Sequence, residues 1–505
     1  MSTKLQQLRE RLAEVEDLTQ AAELASWDQH TQMPPRGAAQ RAEMLATLER
    51  LAHERFVSAE VGRLLDAAAA ELDAAGRDSP DDDDVALVFH ARRVWEKARK
   101  VPTDLAGEIA RASSLGQEVW VTARAGNDFA AFIPALTHNL ELKRRYVECF
   151  DGFDCAYDVL LDDYEPQMTT AEVTRLFSEL RDELVPLIAT LSAREVDTSI
   201  LHGHFPVEAQ RRLVREVISL QGWNPEGWRM DDSAHPFATS FGATDVRITD
   251  RWEEGYFASS LFGAMHETGH GLYEAQVAPE LMRTPLGHGV SLGVHESQSR
   301  LWENMVGRGR PFAEVLAPKV ADCFGGALTG VSPDALFRAV NRISPSLIRV
   351  EADEATYGLH IIIRFELEQA LVNGTLAVAD LPEAWNAKYK EYLGIDVPSD
   401  ADGVLQDVHW SGGLIGYFST YALGNLIAGQ LWGAVNRDIP DLADSLAAGE
   451  LSRLREWLGT HVHRHGAKYL TPGLLERVVG TGIEVGPFVA YLKAKLSAVY
   501  GIALD

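Results

Sequence analysis

Cysteine is scarce in this chain of 505 residues, which holds only Cys149, Cys155 and Cys323. Three cysteines cannot all pair, and their spacing is not that of a metal cluster. This fits a reducing, cytoplasmic setting better than a disulfide-built secreted protein. Basic residues are also outnumbered: 47 Lys and Arg face 74 Asp and Glu, a formal net charge of -27. A surface that acidic repels phosphate backbones and anionic lipid heads, so nucleic acid and membranes are excluded as partners. A secretory leader is missing, since the opening stretch is charged and amphipathic and has no small-residue cleavage site. One uncharged run, Ser411 to Val435, would pass a crude membrane filter. It holds six glycines along with Ser, Thr, Asn and Gln, and is read as a buried segment of a helical core. Strand signals are few, and neither a repeat period nor a low-complexity linker is found.

What is present is helix after helix. Leu5, Leu8, Leu12 and Val15 recur at spacings of three and four, up to Met33-Pro34-Pro35, where proline stops the run. A second amphipathic stretch is expected from about Ala38 to Leu72, and further ones near 84–100, 104–125, 138–163, 170–193 and 206–221. The acidic run Asp81 to Asp84 is read as a solvated loop that feeds negative charge into the next helix N-terminus. The best strand signal lies between Phe237 and Trp252, where Val246 and Ile248 alternate with polar residues. The expected architecture is all-α with a small β element. It is one domain over 1–505, with the N-terminal helices, approximately 1–80, as a subdomain that could cover a central groove.

The chemistry points to His266-Glu267-Thr268-Gly269-His270. Residues four apart on a helix share a face, so two imidazoles can reach one ion with a nitrogen–zinc distance of about 2.0–2.1 Å. Glu267 lies about 100° around the helix and can face a water at the ion's open position, the place of a general base. Gly269 and Gly271 cost helix stability, which suggests a neighbouring backbone packed close by. Catalytic zinc sites take three protein ligands and a water. The position where a third histidine would follow in one zinc-enzyme class is Gln276, so a carboxylate from a second helix is the alternative. Glu296, 26 residues after His270, is the candidate. Ligating histidines donate their other ring proton to an acceptor; one turn after Glu296 stands Arg300, which cannot accept, leaving Glu303 or another residue.

These residues resemble the carboxypeptidase Taq family, and the likeness spans nearly the whole chain. Trp27-Asp28-Gln29 and Met33-Pro34-Pro35 look like its N-terminal signature, with His30 where glutamate is usual. His235-Pro236-Phe237, Asp245 to Thr249, His266 to His270, and His295-Glu296-Ser297-Gln298 follow in order. Ile348 to Asp353 fits I-R-x-x-A-D, and Gly403 to Trp410 fits G-x-x-Q-D-x-H-W. The resemblance implies removal of single residues from peptide C-termini with broad tolerance. It also implies a helical fold like that of neurolysin and angiotensin-converting enzyme with a long groove, a homodimer, and one zinc or cobalt ion per chain. By similarity, His409, Tyr417 and Tyr421 are candidate oxyanion donors. Arg247 and Arg349 are candidates for the substrate carboxylate, since arginine binds that group bidentately. His235 either hydrogen-bonds in the site or shapes a turn, and the strand near 244–249 could pair with an extended substrate.

Three other readings stay open. A helical oligopeptidase cutting inside peptides would use the same metal site. Gly289-Val290-Ser291-Leu292-Gly293 matches a serine nucleophile pattern, but that pattern needs a preceding strand and Arg283 to His288 is not one. A non-catalytic binding protein would make the histidine motif accidental.

Overall fold

Thr3 opens the first helix, Lys4–Thr31, by accepting the Gln6 amide proton on its hydroxyl at 3.1 Å, which satisfies one of the unpaired donors of a first turn. The computed structural model describes residues 3–504. The expected domain over 1–505 therefore includes Met1, Ser2 and Asp505, which lie outside the described residues. The first helix ends before Pro34 and Pro35, as the sequence requires. The stretch read as one helix from Ala38 to Leu72 is two, Ala38–Phe56 and Ala59–Ala74. Ser58 divides them: its backbone is extended and its hydroxyl caps the Val61 amide. In the same way 138–163 resolves into the end of Phe129–Val147 and a short helix, Ala156–Leu161. The chain is 67% helix and 3% strand, which is the all-α class with a small sheet. No helix among the described residues is long and apolar enough to cross a membrane; the uncharged run enters the helix Ser419–Asp438.

The chain forms two units. One comprises the chain up to Arg99, Thr198–Val340 and Leu431–Gly482; the other comprises Lys100–Asp197, Asn341–Gln430 and the chain from Ile483 on.

In the first unit, Leu8, Leu12, Leu64 and Leu65 from the N-terminal helices pack on Val277, Leu281 and Leu286. The acidic run is not simply solvated. Asp84 pairs with Arg9 and Arg77, Asp83 with Lys468, and Asp81 with Arg477, so the run clasps three segments together. Three strands, β1 (Trp228–Asp232), β2 (Ala238–Ser240) and β3 (Val246–Asp250), form a sheet in the order β1-β3-β2. β3 runs parallel to β1 and antiparallel to β2. Alternation along β3 sends Ile248 into a cluster with Val214, Ile218 and Ala264. Ala264 belongs to the helix Phe257–Ala275, which bears the histidine motif.

Two glycines let that helix lie close to its neighbours. A Cβ on Gly271 would sit 2.5 Å from the Trp228 ring and 2.8 Å from Val246. A Cβ on Gly269 would sit 2.7 Å from the Ser299 Cα and 2.8 Å from the Gln298 carbonyl. The second contact brings in the helix Leu292–Arg300, which continues as a π-helical turn, Leu301–Gly307.

In the second unit, the helix Glu354–Val372 is buried along most of its length and packs on Thr170–Ser192 and Leu381–Leu393. It carries Arg364, wholly buried, beneath the segment Gln406 to Trp410.

Candidate metal centre

Ser291 starts the carboxylate-bearing helix by capping Val294 N with its hydroxyl at 3.1 Å. That helix and the π-helical turn that continues it bring Glu296, Arg300 and Glu303 together, at spacings of four and three. Across the Gly269 contact, Glu296 Oε2 lies 3.6 Å from His266 Nε2 and 3.4 Å from His270 Nε2. One donor atom from each of the three residues lies within 4.8 Å of the others. Two ligands bonded tetrahedrally to an ion at about 2.0–2.1 Å stand about 3.3 Å apart, whereas an N–H···O hydrogen bond has its mode near 2.9–3.0 Å. The spacings found are thus those of groups around a shared ion, and the donor set suits a divalent metal.

The outer ring nitrogens are engaged. His266 Nδ1 lies 2.9 Å from Glu303 Oε2, which settles the choice of acceptor that the sequence left open. Glu303 is held by Arg300 and Arg308, each at 3.3 Å, and Arg300 also donates to Glu296 Oε1 at 2.7 Å. Burial works against ionising both carboxyls, but Arg300 and the histidines outweigh it; Glu296 is held well below the usual carboxylate range and Glu303 at about 2. Both oxygens are therefore ionised acceptors. Burial brings His270 down to about 4. Burial pushes Glu267 the other way, up to about 7, and among the described residues it makes no hydrogen bond or ion pair. It is a buried carboxylate beside the centre and is not tied to another side chain.

The remaining predicted residues fall into two groups. In the second unit, Arg349 donates to Asp407 Oδ1 at 2.9 Å and to the Tyr357 hydroxyl at 3.1 Å, with its guanidinium 5.0 Å from the Tyr421 ring centre. Asp407 is shared with Arg364, at 2.7 Å, and the two arginines hold its carboxyl well below the ordinary range against the push of burial. His409 Nε2 lies 3.3 Å from the Tyr421 hydroxyl, and its ring stands 5.3 Å from that of Tyr417. The four predicted residues Arg349, His409, Tyr417 and Tyr421 are thus neighbours. Burial lowers His409 to about 4, so its ring is neutral at pH 7. In the first unit, Arg247 is paired through two hydrogen bonds with Asp245, at 2.9 and 3.0 Å, and stacks 4.2 Å over Trp27. His235 is exposed on the bend between β1 and β2, and its carbonyl accepts from Ser233 at 2.6 Å.

The Carboxypeptidase Taq (M32) metallopeptidase family matches residues 7–496. Thermostable carboxypeptidase 1 of Thermus thermophilus is 42% identical over 98% of this chain and 99% of its own length. Carboxypeptidase 1 of Bacillus subtilis is 35% identical over 97% of each. The crystal structure of the M32 carboxypeptidase from Deinococcus radiodurans R1 superposes with a TM-score of 0.96 at 40% identity, covering 99% of this chain and 100% of that one. The chain belongs to the M32 family. It is a metallocarboxypeptidase, a peptide hydrolase that works with a divalent metal.

One sequence expectation for this M32 chain needs correction. The strand near 244–249 cannot pair with a substrate, because β3 is bonded on both sides, by β1 and by β2. β2 is an edge strand, and with His270, Glu274, His288 and His295 it lines a pocket of about 160 Å³. Ser291 agrees with the sequence reading that set it aside as a nucleophile: residues 283–288 are turns and bends, not a strand, and its hydroxyl is an N-cap that also meets Thr471. Two residues escaped the sequence reading. Glu274 stands four residues after His270, on the same face, and that repeat of the histidine spacing was the available signal. His295 adjoins Glu296 but was assigned no role.

Proposed function

We propose that this chain removes single residues from peptide C-termini with zinc as its ion, one per chain, and that cobalt can replace it. The observation that carries the reading is the convergence of His266 Nε2, His270 Nε2 and Glu296 Oε2, with Glu267 alongside and uncommitted. When bound, such an ion supplies Lewis-acid activation of water and of the scissile carbonyl. Glu267 takes a proton from the attacking water and returns it to the departing amine. The edge of β2 offers backbone hydrogen bonds to an extended peptide. Arg349 is assigned the substrate carboxylate, and His409, Tyr417 and Tyr421 the developing oxyanion. Arg247, already paired with Asp245, keeps a place among the substrate contacts through its remaining donors; His235 is the weakest member of the set, because it is exposed. The reading also takes in a fold akin to neurolysin and angiotensin-converting enzyme, an N-terminal helical flap over approximately 1–80, a cytoplasmic home and a homodimer.

The test compares a peptide with a free C-terminus and its amidated twin, with and without Glu267→Gln, by mass analysis of products. The expected result is stepwise shortening of the free acid only, and its loss in the variant by about 10²–10⁴-fold, the usual worth of a general base. Equal cleavage of the amide would favour an endopeptidase and overturn the exopeptidase reading. Hydrolysis that survives a chelator would overturn the metal chemistry.

A further inference from the structure

Two hydrogen-bonded chains lead away from the metal centre, and they are built differently. From His266 the chain has one step: Nδ1 lies 2.9 Å from Glu303 Oε2, and an ionised carboxylate can only accept. His266 therefore carries its proton on Nδ1 and turns a bare Nε2 towards Glu296. His270 meets another imidazole instead, with His295 Nδ1 at 2.6 Å from its own Nδ1. Two ring nitrogens that close share one proton, and the pair alone does not say which ring owns it.

The far side of His295 decides the matter. Its Nε2 lies 2.8 Å from Glu274 Oε1, which also accepts from Gly289 N at 3.0 Å. The other Glu274 oxygen accepts from Ser240 Oγ at 3.4 Å and faces His288 Nδ1 at 3.6 Å. Surrounded by donors, Glu274 acts as an acceptor, so His295 holds a proton on Nε2. A neutral His295 then has a lone pair at Nδ1, His270 donates to it from Nδ1, and the His270 Nε2 lone pair faces Glu296 at 3.4 Å.

We propose that His295 and Glu274 are positioning residues that fix the tautomer of His270, an imidazole and a carboxylate in series doing for His270 what Glu303 does for His266. The proposal rests on reading His266, His270 and Glu296 as a cation site. His295 is then no spare ligand: its ring lies 5.2 Å from Tyr273 and is packed so closely that a Cβ on Gly289 would meet its Cδ2 at 2.7 Å. Both of its nitrogens are committed away from the ion position.

The test uses the full chain, stripped of metal, with Zn²⁺ and Co²⁺ as probes in competition with a chromophoric chelator. His295→Phe keeps the ring's bulk and removes the acceptor; it should weaken both ions by about 10–100-fold, the usual cost of losing an outer partner of a ligating histidine, and alter the visible spectrum of bound Co²⁺. His295→Asn sets a carbonyl oxygen close to the position of Nδ1 and should recover much of that loss. Nitrogen NMR of the histidine-labelled, metal-free wild type gives the direct answer, expected as Nδ1–H with bare Nε2 on His270 and the reverse on His295. The opposite tautomers, wild-type affinity in His295→Phe, or no recovery in His295→Asn would overturn the proposal. Glu296→Gln keeps the two failures apart: if the ions bind as tightly without that carboxylate, the reading of the site itself fails.

Discussion

Gly269 sits where helix propensity and metal geometry pull in opposite directions. Alanine is the better helix former by about 1 kcal/mol, so on propensity alone Gly269→Ala should stabilise. The structure predicts the reverse. The added Cβ would stand 2.7 Å from the Ser299 Cα and 2.8 Å from the Gln298 carbonyl, both backbone atoms that no rotamer change can move, while ordinary contact begins near 3.4 Å. The helices must part by about 0.7 Å, and overpacking of this kind costs about 1–3 kcal/mol. The net expectation is a loss of up to about 2 kcal/mol, from the same two terms. The larger effect falls on the ion, because Ser299 and Glu296 share a helix turn and metal–ligand distances tolerate only about 0.2 Å. Gly263 on the same helix is the control: its Cβ would meet only Asp250 Oδ1, at an ordinary 3.6 Å, so Gly263→Ala should be neutral or stabilising. Denaturation midpoints and bound zinc measured on both variants check the argument. A Gly269→Ala protein as stable as wild type, with full metal content, would refute it.

Other perturbations follow the same geometry. Glu303→Gln should weaken zinc by about 10–100-fold through His266, read by chelator competition, with the metal-free fold retained. A free ion concentration 1,000 times the dissociation constant should stabilise the fold by about 4 kcal/mol, so removing the metal should lower the melting midpoint, and Glu296→Gln should abolish that increment. Asp407→Asn leaves two buried guanidinium groups without their carboxylate and should cost about 3–5 kcal/mol in a denaturant titration. Because the folded state holds Asp407 below its unfolded value, its contribution is present above about pH 4 and lost as pH falls further; the variant should lack that part of the acid slope. Ser291→Ala should leave hydrolysis intact and cost only a cap, about 0.5–2 kcal/mol, so loss of chemistry there would reopen the serine reading.

The metal centre was legible where its logic is local. His266 and His270 are one turn apart, and Glu296 begins the next helical pattern, so spacing alone could nominate the three. The reading blurred where partners are distant. Arg349 was nominated as a carboxylate binder, but its Asp407 lies 58 residues on, and nothing in the motif announces that Arg364 claims the same carboxylate. Arg247 packs on Trp27, which stands 220 residues earlier, and so joins the N-terminal signature to the Asp245 to Thr249 motif by a contact no periodicity encodes. The joint at Ser58 was invisible for another reason: the amphipathic pattern continues across it, and only the capping hydroxyl marks the break. The strand near 244–249 was found and misassigned, because alternation reveals a half-buried strand but not whether its edges are taken.

Buried charge explains why the two clusters suit different ligands. Around His266, the carboxylates of Glu296 and Glu303 are paired with Arg300 and Arg308, and Glu267, pushed up to about 7 by burial, stands beside them. Around Arg349, a single Asp407 answers two arginines, and the neighbouring His409 is neutral at pH 7. An uncompensated charge away from water is costly unless a partner is supplied. At the first, two imidazole nitrogens and a carboxylate oxygen stand at ligand spacing, which suits a cation; at the second, two planar cations share one carboxylate, which leaves positive charge.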